Sequence, residues 1–334
     1  MKIFIHEFIT GGGLAGKELP ASLLREGFLM LEALLEDFSL LPQHQIITSY
    51  DRRLNLKLPA RQKIPVEEGA YQEAFLSAVK ASDAVLLIAP ETDEILAELT
   101  RTVEKEDKLL LGSRAEGVEV AGNKLLTYRR FKDRGVAFPE TEEVSFTENL
   151  IEKTKNLRFP LILKPIDGAG CGGVFLAKNV DELVVSRHQL ARETRLDRFL
   201  IQEYVQGVHA SVSLISNGSR GAPLTLNAQF IEVSNRLIYK GGSVPLEHPL
   251  KQEVFHLLQA LPAWIKGLQG YVGVDLVLAE RGPVFIEINP RLTTSYIGVR
   301  KIVPLNLAEA ILEAVLDEKL PREVEVAGQV HFTL

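Results

Sequence analysis

The stretch Gly273-Val-Asp-Leu-Val-Leu-Ala-Glu-Arg-Gly-Pro-Val-Phe-Ile-Glu-Ile-Asn-Pro-Arg291 contains two apolar runs, Gly273 to Ala279 and Val284 to Asn289, on either side of an Arg281-Gly282 turn. Alternation around a short turn predicts a β-hairpin. In that hairpin Asp275 faces the region of Glu287 to Asn289, and the two-residue period of a strand puts Glu287 and Asn289 on one face. Two carboxylates and an amide oxygen converging there make a hard, oxygen-rich pocket. Such a pocket suits Mg²⁺, which keeps several waters and takes phosphate oxygens as further ligands. Arg291 adds a charge-assisted contact to phosphate or to a developing oxyanion. Taken singly, each residue has a simpler account: Asp275 as an edge-strand surface charge, Glu287 as half a salt bridge, Asn289-Pro290 as a turn. Taken together they do not. A strand otherwise made of Val, Phe and Ile has little structural reason to bury Glu and Asn on one face unless something there needs oxygen ligands.

Three segments upstream extend the pattern. Lys164-Pro-Ile-Asp-Gly-Ala-Gly-Cys-Gly-Gly173 sets a lysine at the end of an apolar strand, before a loop that carries Gly168, Gly170, Gly172 and Gly173. Glycines let backbone N–H groups approach phosphates closely, and the lysine supplies a point charge. The natural reading is a phosphate cover, with a plain hairpin turn as the competing account. It is not a P-loop, because no Gly-Lys-Ser/Thr closes it and no helix follows directly. Asn123-Lys124 opens a helix, from which Lys124 reaches phosphates from another side or else simply lies exposed on the surface. Gln202-Glu-Tyr-Val-Gln-Gly-Val-His-Ala-Ser-Val-Ser213 leaves a strand with polar groups beside backbone able to hydrogen-bond an adenine edge.

The rest of the chain gives the frame. From Lys2 to Gly112, strands (Lys2 to Ile9, Gln45 to Thr48, Ala84 to Ala89, Leu109 to Gly112) alternate with helices (Ala21 to Phe38, Tyr71 to Ala81, Glu91 to Lys105), which predicts an α/β unit on a parallel sheet. A boundary falls near Ser113. A helix over Asn123 to Arg134 is closed by Gly135. Beyond Leu161 the order is strand, glycine turn, strand, helix (Val180 to Arg192) and strand (Phe199 to Val205), an α+β module. Strands at Ser211 to Ser216 and Leu224 to Val233, a helix at Pro249 to Leu268, the hairpin, and an amphipathic helix at Leu305 to Asp317 complete it.

The order and spacing of these segments resemble the ATP-grasp superfamily over roughly Ser113 to Gly298. The resemblance implies an ATP-grasp fold in three parts. These are an N-terminal parallel-sheet, Rossmann-like α/β subdomain (1–112), a central lid subdomain (113–205) and a C-terminal antiparallel-sheet subdomain with the metal site (206–334). It further implies that Lys124 and Lys164 contact ATP phosphates beneath the glycine loop, that Glu203, Tyr204 and Val205 hold the adenine, and that Asp275, Glu287 and Asn289 bind one or two Mg²⁺, for which Mn²⁺ can substitute. Lys240, in Tyr239-Lys-Gly-Gly242, falls where related ligases often place a phosphate- or substrate-contacting residue. His209 stands near the place of the glutamate that binds ribose in many members; a histidine can also donate to a hydroxyl, and packing is the alternative. Cys171 has no basic partner beside it in sequence, so it reads as packing rather than nucleophile.

The opening His6-Glu-Phe-Ile-Thr-Gly-Gly-Gly-Leu-Ala-Gly16 contains G-x-G-x-x-G at Gly11, Gly13 and Gly16. Pro20 and Ser22 delay the helix that a dinucleotide turn needs, and Asp51 lies too far on, which argues against NAD(P). His6, Glu7 and Gly11 to Gly13 are instead candidates for substrate contact, with packing as the rival account for His6. Glu-Phe-Ile-Thr-Gly-Gly-Gly, Asp-Gly-Ala-Gly-Cys-Gly-Gly and Gly-Val-His-Ala-Ser-Val-Ser together are similar to the tyramine-glutamate ligase family of methanofuran biosynthesis. That similarity implies glutamate as the carboxylate and an aromatic amine or amino acid as acceptor, both small molecules, with a homodimer as a family-level expectation.

Composition narrows the class. The 334 residues are 46% hydrophobic and 25% charged with a net charge of −6, an ordinary globular balance. Basic residues are scattered, with no Lys/Arg block interleaved with aromatics, so a nucleic-acid surface is not expected. The single cysteine excludes an internal disulfide framework and fits a reducing cytoplasm. No apolar stretch approaches ~18 residues, so a membrane span is not expected.

Overall fold

The computed structural model describes residues 1–168, 170–322 and 324–333, leaving Ala169, Glu323 and Leu334 outside the described residues. Among these residues the strands form three sheets. The first is parallel, in the order β3-β2-β1-β4-β5: β1 (Lys2–Glu7), β2 (Gln45–Asp51), β3 (Gln62–Val66), β4 (Ala84–Ile88) and β5 (Leu109–Leu110). The second is antiparallel, β6-β9-β7-β8: β6 (Thr141–Ser145), β7 (Leu161–Lys164), β8 (Phe175–Ala177) and β9 (Arg198–Glu203). The third is also antiparallel, β14-β13-β10-β11-β12-β15: β10 (Val208–Asn217), β11 (Gly221–Val233), β12 (Leu237–Val244), β13 (Gln269–Ala279), β14 (Gly282–Asn289) and β15 (Val330–Thr333).

Helices α1 (Ala21–Ser39), α2 (Tyr71–Lys80) and α3 (Ile95–Lys105) cover the parallel sheet. α4 (Ala115–Gly122) and α5 (Lys124–Lys132) follow; Ala121 and Phe131 are buried in the core of the third sheet with Val274 and Phe285. α6 (Leu150–Thr154) and α7 (Val180–Leu190) back the second sheet, α8 (Lys251–Gln259) and α9 (Leu261–Trp264) the third. α10 (Tyr296–Ile302) and α11 (Leu307–Leu316) wedge between first and third sheets, so that Leu31 and Leu34 share one core with Ile215, Tyr271, Leu307 and Ile311. A buried carboxylate locks the wedge. Asp37 on α1 accepts from Tyr296 Oη at 2.6 Å and from Arg300 Nε at 2.8 Å. This junction brings α1 alongside the third sheet, and so alongside the cleft described next.

Local chemistry explains where expectation and structure part. The helix expected over Pro249 to Leu268 is two, because Pro262 has no N–H to give and its ring blocks continuation from α8. The first strand stops at Glu7 and a wide helical turn, Ile9–Gly13, follows, with Gly12 at φ 95°. β12 escapes sequence reading because Gly241-Gly242 weakens a strand pattern. At Gly241 the reason is space, since a Cβ there would come within 2.1 Å of the Phe332 carbonyl on β15.

Candidate active site

The hairpin forms in the expected register. Asp275 on β13 pairs with Glu287 on β14, and Gly273 with Asn289. A bulge follows at once, because Leu276 pairs with Phe285 and Ile286 is the extra residue. Glu287 and Asn289 therefore share the face that Asp275 occupies. Asn289 Nδ2 donates to Asp275 Oδ2 at 3.2 Å, and Gln229 Nε2 from β11 donates to Asp275 Oδ1 at 2.9 Å.

The two lysines approach the same carboxylates. Lys124, at the first turn of α5, is held there by the Asn123 side chain, which accepts from the N–H groups of Leu125 and Leu126. It is buried rather than exposed, lies 3.4 Å from Glu287 Oε2 and donates to the carbonyl of Gly168 in the glycine-rich loop. Lys164 ends β7, also buried. Burial pulls its ammonium down to about 8, against the attraction of Glu287, while Lys124 adds to the lowering. Burial would raise Glu287 as well, but Lys124 and Lys164 overcome it and hold this carboxyl below its ordinary range. Asp275 goes the other way, well above the usual value, first through burial and then through repulsion by Glu287. Two facing carboxylates, one of them forced towards protonation, form a site that a divalent cation would relieve.

Among the described residues no group of three or more His, Cys, Asp or Glu side chains converges as a self-sufficient metal centre. The set is two carboxylates and an amide. Mg²⁺ commonly takes one or two carboxylates and draws its other ligands from water and substrate phosphate, so these residues fit it.

These groups line one cleft of about 170 Å³. Gly168, Gly170, Cys171 and Gly172 roof it, whereas Gly173 packs on Pro165 and Leu190. Burial pushes the Cys171 thiol up to about 12, with Glu287 adding to the shift. Glu203, Tyr204 and Val205 lie at the end of β9 on the cleft wall, and the Glu203 carboxylate is turned to Arg158, whose Nη2 donates at 3.0 Å. His209 also lines the cleft, and burial lowers its pKa so that the ring stays neutral. Arg291 reaches the cleft from the chain just past β14, with Nη2 donating to Glu91 Oε2 at 2.8 Å.

Other expected residues sit elsewhere. Lys240 lies outside the cleft, half exposed and 3.2 Å from Glu232. The strand turns its neighbour Tyr239 inward instead, where the phenol meets Thr294 Oγ1 at 3.2 Å. His6 is fully buried, its ring between Ser49 Oγ and Tyr71 Oη at 2.9 Å each, and burial pulls it down to about 3. Glu7 accepts from the N–H groups of Ile9 and Thr10 and from the Thr10 hydroxyl. Gly11 has no room for a Cβ against the His6 ring. For His6 the packing account is the one realised, and neither His6, Glu7 nor Gly11 to Gly13 lines the cleft. Sequence reasoning passed over Glu26 and Met30 on α1, Gln229, Tyr239 and the loop Thr293 to Ser295. One signal was present: Glu26 stands four residues before Met30 on the leucine-rich stripe of α1.

Comparison with known proteins accords with this geometry. The pattern of the family described as "ATP-grasp domain" matches residues 121–295, and that of the "pre ATP-grasp 3 domain" matches 44–118. The chain belongs to the ATP-grasp family. Across its length this ATP-grasp chain is 32% identical to the tyramine–L-glutamate ligase of Methanocaldococcus jannaschii, covering 97% of this chain and 92% of that one. The corresponding ligase of Methanocaldococcus fervens is 34% identical, with 97% of each covered. A solved structure of an ATP-grasp superfamily protein from Archaeoglobus fulgidus superposes with a TM-score of 0.71 at 25% identity, over 98% of this chain and 91% of the other. These kinships make it an enzyme of the carbon–nitrogen ligase class. ATP-grasp enzymes use ATP and Mg²⁺. No helix among the described residues is long and apolar enough to cross a membrane.

Proposed function

We propose that this enzyme uses ATP to activate the carboxylate of glutamate as an acyl phosphate and joins it to an aromatic amine such as tyramine, in methanofuran-type cofactor biosynthesis. One observation carries the reading. Lys124, Lys164, Asp275, Glu287 and Asn289 line a single cleft under a glycine-rich roof, with Arg291 on the same wall. The identity over nearly the whole chain to ligases named for tyramine and glutamate supports the choice of substrates.

A carboxylate oxygen attacks the γ-phosphorus in line, a P–O bond forms, and the bond to the β,γ-bridging oxygen breaks to leave ADP. The amine nitrogen then attacks the acyl carbon, inorganic phosphate departs, and the nitrogen gives up a proton. Lys124 and Lys164 neutralise the phosphate oxygens. Arg291 stabilises the oxyanion that develops at the acyl carbon. Asp275, Glu287 and Asn289 would hold Mg²⁺, which supplies charge neutralisation at the outer phosphates. Catalysis of this kind rests on positioning and charge, so no side-chain nucleophile is called for, and Cys171, kept as a thiol, is not needed as one.

The cleft volume of about 170 Å³ falls below the roughly 300–1,000 Å³ of ordinary small-molecule sites. The glycine roof, tethered by Lys124 to the Gly168 carbonyl, is the wall that opens to admit nucleotide and then shuts water away from the acyl phosphate. The test is mass spectrometry of products after incubation with Mg²⁺-ATP, glutamate and a panel of aromatic amines. The expected products are ADP, phosphate and a glutamyl amide. AMP would mean adenylate chemistry, and an amide formed only with a second amino acid would mean a dipeptide ligase.

A further inference from the structure

The cleft wall contributed by α1 holds a carboxylate that the reaction above does not use. Glu26 projects from α1 into the cleft, half buried, with Met30 one turn further on. Among the described residues it makes no ion pair and no side-chain hydrogen bond, while the nearby cation Arg291 is engaged with Glu91. Arg291 and Tyr239 both lie within electrostatic reach of it. Burial pushes the Glu26 carboxyl up, and Arg291 only partly offsets this. A carboxylate left half desolvated and unpaired on the cleft wall is arranged for a cationic donor that arrives with the ligand.

We propose that Glu26 anchors the primary ammonium group of a substrate, so that the cleft selects an amine-bearing molecule over its deaminated counterpart. The proposal rests on the ligase reading for the role of the cleft as a substrate site. Two substrates carry such a group, the amino acid that is activated and the amine that attacks it; the same carboxylate binds either, and for the attacking amine it also takes the ammonium proton that must leave before the nitrogen can attack.

The test is calorimetric titration of the full chain in Mg²⁺-ADP with two matched pairs, L-glutamate against glutarate and tyramine against 4-ethylphenol. The parent protein binds the ammonium-bearing member of at least one pair about tenfold more tightly or better, as charge-assisted hydrogen bonds do. E26Q abolishes that preference with ADP affinity and thermal unfolding unchanged, and E26D restores part of it. Loss within the glutamate pair assigns the anchor to the acid, loss within the tyramine pair to the attacking amine. A parent without preference in either pair, or an E26Q protein that keeps it, overturns the proposal. ADP release is read on the same samples. If the parent turns over and E26Q keeps its preference, the ammonium anchor is wrong and the ligase reading stands. If E26Q loses the preference but the parent forms no ADP with any acid and amine, the anchor stands and the ligase reading falls.

Discussion

Arg291 Nη2 donates to Glu91 Oε2 at 2.8 Å, an ion pair that spans 200 residues and ties the end of the C-terminal hairpin to the loop after β4. Both side chains are largely withdrawn from water, at 12% and 5% exposure, so the pair fixes the guanidinium against the cleft wall before any substrate arrives. Removing one partner leaves a buried charge alone, which costs about 3–5 kcal/mol. We expect R291A and E91A each to unfold at lower denaturant, with the double variant losing less than the sum of the two. Strictly additive losses in a denaturation cycle would disprove the coupling.

The facing of Asp275 and Glu287 gives a second prediction. E287Q removes the proposed metal ligand and the partner of Lys124, and turnover should fall by roughly 10² or more. D275N acts differently. It removes the repulsion that drives Asp275 towards protonation, so the metal-free protein should melt at an equal or higher temperature while the stabilisation given by Mg²⁺-ATP disappears. Unchanged ADP formation in E287Q would reject the metal assignment.

Lys164 sets the pH response. Burial brings its ammonium to about 8, and only the charged form attracts phosphate, so ATP capture should weaken as pH rises through that value. The expected profile of kcat/KM for ATP is level below about pH 7.5 and falls towards tenfold per unit above about pH 8.5. K164R stays charged and should lack this limb, even at a lower absolute rate. A parent profile that stays level to about pH 9.5 contradicts the assignment.

Cys171 lies in the roof but stays a thiol, its pKa pushed up to about 12 by burial. Iodoacetamide at neutral pH should label it slowly compared with an exposed cysteine, since the thiolate is the reactive form. C171S should keep most of the activity, and slower labelling in Mg²⁺-ATP would report closure of the roof. Loss of activity in C171S by more than about tenfold would give the thiol a chemical role.

Much of the site was legible locally. The hairpin register, the shared face of Glu287 and Asn289, the lysine at the end of β7 and the helix start at Asn123 all follow from periods and caps that span a few residues. Other parts were not. Tyr239 and Lys240 differ by one position on β12, and only the pairing of that strand with β11 and β15 decides which of them faces the cleft. His6 reads equally as a substrate contact or as packing until Ser49 and Tyr71 close around it from other parts of the first sheet and its helices.

The sequence alone determined which side chains face one another in the C-terminal hairpin and where the glycine loop leaves β7, because strand alternation and glycine conformational freedom act between near neighbours. Tertiary structure alone decided the far wall. Glu26 reaches the cleft because α10 and α11 clamp α1 onto the third sheet, bringing together segments more than 200 residues apart, and no local pattern records such a contact.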